Sequence, residues 1–172
     1  HAISDCNNGV SRSAAVAGDL YVTELPTCEQ SLEYHFREVL ELPDAAVTWL
    51  LDLWHVIQVF DDIADEDYVS RKDLMDAVIK SLVTLPANPF YVANATILQP
   101  VIISAILKWK ASDDAERANK ISETSFVWRA SYYDVVLMVT LICHGWQNAM
   151  DSAFVVMQLY GEKFEKYREE FQ

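Results

Sequence analysis

DAAVTWLLDLWHVIQVFDDIADE, the stretch from Asp44 to Glu66, has a helical period, is apolar over most of its circumference and carries one line of polar residues. At about 100° per residue, Asp52, His55, Gln58, Asp62 and Asp65 fall within an arc of roughly 140°. Trp49, Leu50, Leu53, Val56, Ile57, Val59 and Phe60 are among the residues filling the remainder. A helix this apolar belongs at the centre of a fold. A carboxylate or an imidazole lowered into an apolar core costs several kcal/mol unless it is paired, hydrogen-bonded or holding a cation. The stripe is therefore predicted to face something. A basic side chain opposite it implies a structural ion-pair network, whereas a hollow with further acids implies a site.

Working outward, the 172 residues suit one domain, and a hydrophobic content of 52% is ample for a core. Four Gly and five Pro among long apolar runs favour long helices over hairpins. The expected class is all-α: a single bundle of about six helices, residues 26–172, around a buried central helix at about 44–66, with an irregular N-terminal arm over residues 1–25. Within the arm, Leu20 to Thr23 could pair as a short strand.

Punctuation sets the other helices. Thr27 with Gln30 forms a capping box for a helix to about Glu41, and Leu42-Pro43 stops it. Ser70 with Asp73 opens a helix to about Leu82. Asn88-Pro89 starts an apolar helix toward Trp109 that Pro100 is expected to kink or split. Ser112, Asp113 and Asp114 are read as the start of the longest helix, to about Cys143. Gly145 is read as the break before a last helix, about 148 to 171.

Twenty-six acidic against thirteen basic residues give a formal charge of −13. That field repels nucleic acid and anionic lipid, and no run of Lys or Arg offsets it locally. Residues 81 to 107 carry no charge, but Pro86, Pro89 and Pro100, with Asn88, Asn94 and Gln99, are expected to spoil a membrane-spanning helix. Cys6, Cys28 and Cys143 are widely spaced without CxxC, which points to a reducing, cytoplasmic compartment rather than a disulfide framework or zinc site. The first residue is His1, not Met, which leaves room for a processed end or a tag remnant. The Asn94-Ala95-Thr96 sequon is discounted as a chance triplet.

The end of the central helix reads DDIAD, with Asp61, Asp62 and Asp65 in the spacing DDxxD. Carboxylates at i and i+4 share a helix face, and hard oxygen ligands suit Mg²⁺. Here the chain resembles the class I isoprenoid and terpene synthases, all-α enzymes in which such aspartates hold magnesium against a substrate diphosphate. The resemblance implies Asp61, Asp62 and Asp65 as metal ligands, Mg²⁺ as cofactor and a diphosphate ligand. It covers five residues. For the family's second metal motif the chain offers only Asn148 and Ser152, with Val156 where the acidic ligand should fall. The alternative is an acidic helix end that, opposing the helix dipole, calls for a cation or a basic neighbour. Arg129, between Trp128 and Tyr132, is placed to neutralise Asp62 or Asp65 and so joins the stripe as a structural partner.

Two further patterns are considered. His55-x-x-Gln58-x-x-x-Asp62 recurs as His144-x-x-Gln147-x-x-x-Asp151, a candidate duplication. Asp52 with His55, and His35 with Glu38, resemble half of a di-iron carboxylate site, for which Asp134 and His144 are the remaining partners. That inventory is short of a full set, and His55 is otherwise a buried histidine bonded to Asp52 and a neighbouring helix. Taken together, the residues favour an acidic, soluble helical module acting by contact with a protein partner or its own copy, with no certain cofactor. The alternative is a magnesium-dependent enzyme acting on a diphosphate or nucleotide through Asp61, Asp62 and Asp65.

Overall fold

The structure is a computed structural model and describes residues 28–170, with side chains from 31 to 169. The expected arm, its Leu20 to Thr23 strand, Cys6 and the Thr27 cap lie outside the described residues. Among the described residues every regular element is helical and no strand occurs. In chain order they are α1 (Cys28–Tyr34, continued by a π-turn, His35–Val39), α2 (Asp44–Ala64), α3 (Arg71–Ile79, continued by a π-turn, Lys80–Thr84), α4 (Leu85–Ala87), α5 (Pro89–Arg117), α6 (Glu123–Arg129), α7 (Tyr132–Gln158) and α8 (Phe164–Glu170).

The helix starts follow cap chemistry. Ser70 Oγ accepts from the Asp73 amide at 3.1 Å, opening α3. Asn88 Oδ1 accepts from the Phe90 and Tyr91 amides at 2.9 and 3.3 Å, with Pro89 in the first turn of α5 where its missing N–H costs nothing. The other amide group of Asn88 donates to the Ala45 carbonyl at 3.0 Å, so the starts of α5 and α2 are tied together.

Two expected breaks fall elsewhere. Pro100 neither splits nor ends α5, which runs for 29 residues as the longest helix. Leu98 and Ala105 are buried on either side of the exposed proline, and that packing opposes the proline's loss of one amide donor. Ser112 is consequently interior to α5 rather than a helix start; its hydroxyl donates to the Ser125 carbonyl at 2.9 Å. The chain turns instead at Asn119, with φ of 52°, before a reciprocal Ser122–Ser125 cap starts α6. Gly145, with φ 78° and ψ 177°, leaves helical geometry, so α7 is two helical stretches meeting at a kink where the break was expected; the second stretch stops at Gln158, short of the expected end near 171, and the chain turns again at Gly161, φ 65°.

α2 is the central helix. Its first half buries Ala46, Val47, Trp49 and Leu50 in a core shared with Leu32 and Phe36 of the α1 segment, Leu98 of α5 and Val135, Val136 and Val139 of α7. Its second half diverges from that core: Val56 and Val59 pack on Ala77 of α3, while Phe60 and Ile63 are each about half exposed.

Candidate functional site

The polar residues of α2 do not share one partner. Asp52 turns to the π-turn after α3, accepting from Lys80 at 3.1 Å and from Thr84 Oγ1 at 3.1 Å, rather than to His55. His55 Nε2 is buried without a hydrogen-bond partner among the described residues. Asp62 is half-buried and Asp65 is exposed. The carboxylate carried inward is Asp61, just outside the predicted arc.

Asp61 lies in a polar centre formed where α2, α5, α6 and α8 meet. Its Oδ1 accepts from the Trp109 indole N–H at 2.7 Å, and its Oδ2 faces the Arg129 guanidinium at 3.5 Å. Arg129 donates from its other terminal nitrogen to Glu116 Oε1 at 2.7 Å. Glu116 Oε1 also accepts from Ser112 at 3.1 Å and from the Tyr167 hydroxyl at 2.9 Å, and the guanidinium lies 5.4 Å from the centre of the Tyr167 ring. The side chains of Arg129 and Glu116 are each 7% exposed and that of Asp61 11%, so the three charges are taken out of water together. Burial alone would lower the Arg129 pKa, but Asp61 and Glu116 more than offset it and hold the guanidinium above its ordinary value.

The predicted basic partner of the stripe is thus present, but Arg129 serves Asp61 and Glu116 instead of Asp62 or Asp65. Arg117 adds the second cation that the acidic helix end requires, donating from Nη2 to the Ala64 carbonyl at 2.8 Å. Asp61, Asp62 and Asp65 do not converge, and among the described residues no group of three or more His, Cys, Asp or Glu side chains is arranged to hold a metal ion. Desolvation at the bundle end raises the Asp65 carboxyl above its ordinary range; Asp61 and Glu116 raise it further and Arg129 opposes them. Asp62 is raised for the same first reason, reinforced by Asp61, Asp67 and Asp73.

The other candidate constellations are dispersed. Asp134 pairs with Lys108, and His144 Nε2 meets the Leu40 carbonyl at 2.8 Å, joining α7 to the end of the α1 segment. Gln147 donates to Asp151 at 3.1 Å, both exposed and beyond the Gly145 kink, so the two His-Gln-Asp patterns do not build one layer. His35 bonds the Ser31 carbonyl of its own helix.

Beside the polar centre is an apolar cleft of about 270 Å³ between α2 and α5, lined by Leu53, Ile57 and Phe60 on one wall and Ile102, Ile106 and Trp109 on the other, with Arg129 and Tyr132 at its base. The exposed surface of α5 is apolar as well. There Val92, Ile97, Ile103, Ile106 and Leu107 are between 48% and 64% exposed. By length and composition α5 is apolar enough to cross a membrane, so the expectation that prolines and amides would spoil such a helix does not hold. Almost none of its most apolar 18-residue window is buried inside the bundle. The absence of charge over residues 81–107 was visible in the chain, but its exposure depends on which side α6 and α7 cover. Comparison with protein-family models, curated proteins and solved structures finds no match.

Proposed function

We propose that this chain is a helical docking module that works by contact with another protein chain through the uncharged outer face of α5. The observation that carries this reading is the exposure of that face: five large aliphatic side chains, each about half exposed or more, on a segment without charge in a chain of formal charge −13. Contiguous exposed apolar surface rimmed by polar residues is characteristic of interaction sites. In this reading the Asp61–Arg129–Glu116 network holds α2, α5 and α6 in register behind the face, and no cofactor enters the work.

The magnesium and diphosphate reading has less support. One oxygen of Asp61 is committed to Trp109 and the other faces Arg129, and the guanidinium that could grip a phosphate is already shared by two carboxylates. A substrate would have to displace both buried interactions.

Ile103→Glu with Leu107→Glu tests the contact reading, since both side chains are exposed and the fold should tolerate the changes. The wild type should associate, with itself or with a reproducible partner from its source extract, and the double variant should lose that association while keeping its circular dichroism. Identical association by both proteins, or magnesium-dependent diphosphate hydrolysis abolished by Asp62→Ala, would contradict the reading.

A further inference from the structure

Resting on that reading, we infer that the occupant of the α5 face is a second copy of this chain, its α5 packed antiparallel across a two-fold axis near Gln99 and Pro100. Apart from Ile97 and Ser104, the exposed positions between Val92 and Leu107 match themselves when the helix is reversed about that point. Val92 then meets Leu107 and Thr96 meets Ile103 of the other copy, which sets a smaller side chain against a larger one in each pair. Gln99, exposed at the centre, meets its own copy, and a side-chain amide can both donate to and accept from an identical amide. An isologous contact requires this kind of self-complementarity.

Charge selects the same arrangement. Two chains of formal charge −13 repel over most of their surface, and residues 81–107 give a face on which they approach without like charges meeting. Lys110 pairs with Asp114 near the C-terminal end of α5. Antiparallel pairing keeps these charged ends of the two copies apart, whereas parallel pairing would stack Lys110 on Lys110 and Asp114 on Asp114. From residue 92 to residue 107 the seam is roughly 22 Å long. The surface covered is on the order of 1,000 Å² over both copies, the lower bound for a specific interface. Gln99, exposed midway along this helix, donates one amide hydrogen to Tyr91 at 3.3 Å, and its remaining donor and acceptor are met by a second amide across a protein seam but not by lipid hydrocarbon.

The test is light scattering of the full chain over a concentration series, with a short bis-maleimide cross-linker applied to single-cysteine variants in a Cys6→Ser, Cys28→Ser, Cys143→Ser background. The expected mass is twice the 19.6 kDa of one chain. Ile103→Glu should weaken the dimer by about 100-fold or more, because it places a charge in a desolvated seam. Leu82→Glu, at a 74% exposed position outside the seam, should leave the mass unchanged. Gln99→Cys should cross-link to itself; Val92→Cys and Leu107→Cys should cross-link when mixed and poorly alone. A wild type monomeric at every concentration, a dimer insensitive to Ile103→Glu, or cross-linking of Val92→Cys to itself would overturn the inference. Monomers that bind zwitterionic phosphatidylcholine vesicles through the same face would overturn it and the contact reading together. Monomers that bind a different protein, with loss on Ile103→Glu, would overturn only the second copy.

Discussion

Arg129 stands between two carboxylates with almost no water to share them, and its removal would leave Asp61 and Glu116 facing each other uncompensated. Breaking a buried ion pair from one side costs about 3–5 kcal/mol. Arg129→Met is therefore expected to lower stability by roughly that amount in urea unfolding, and Asp62→Ala to leave it within about 0.5 kcal/mol. The raised carboxyls of Asp62 and Asp65 act in the opposite sense. A carboxyl whose folded pKa exceeds its unfolded value contributes stability that is fully present below the unfolded pKa, near 3.8, and is lost as pH rises through the folded pKa. Asp65→Asn is thus expected to raise the melting midpoint at pH 7 slightly, by about 1–2 °C once solvent screening is allowed for, and to have no effect at pH 3. A destabilised variant at pH 7 would contradict the assignment. Periodicity marked α2 as the helix to watch but not which of two adjacent aspartates turns inward. That choice is made by Arg129, 68 positions away, and by Trp109, 48 away, and such separations leave no trace in a local pattern.

Among the elements, the caps were the most legible because their chemistry is local: Ser70 with Asp73, and Asn88 with Pro89, start helices where their side chains can reach the orphan amides. The breaks at Pro100 and Ser112 were misplaced for a physical reason. A proline's cost is local, but the packing that overrides it, through Leu98 and Ala105, is tertiary. Asn119 stops α5 with a left-handed residue other than glycine, a weaker signal than Gly or Pro. Pro100→Ala restores one amide donor and is expected to stabilise the fold by about 1–3 kcal/mol, measured by chemical unfolding. Loss of stability would mean that the packing around Pro100 depends on the proline ring itself.

At the scale of the whole molecule, the all-α class was readable from the scarcity of Gly and Pro and the long apolar runs, because fold class depends on sums over many residues. The open face was not readable. An apolar helix buried in a core and one left bare have the same composition, and only the placement of α2, α6 and α7 on one side of α5 separates them. The acidic end, now counted as part of a structural network with Arg129 and Arg117, leads to a further expectation. Millimolar Mg²⁺ with pyrophosphate should not raise the melting midpoint, whereas a ligand selective for the native state would raise it by mass action. A rise abolished by Asp62→Ala would restore the enzyme reading.

The central claim is that the outer face of α5 is covered by protein when the chain is at work. Hydroxyl-radical footprinting of the full chain, across a concentration series and with source extract, tests it most directly. Protection of Val92, Ile103 and Leu107 is predicted, while Leu82 and the 90% exposed Tyr68 stay reactive. Unchanged reactivity of Val92, Ile103 and Leu107 under every condition would contradict it.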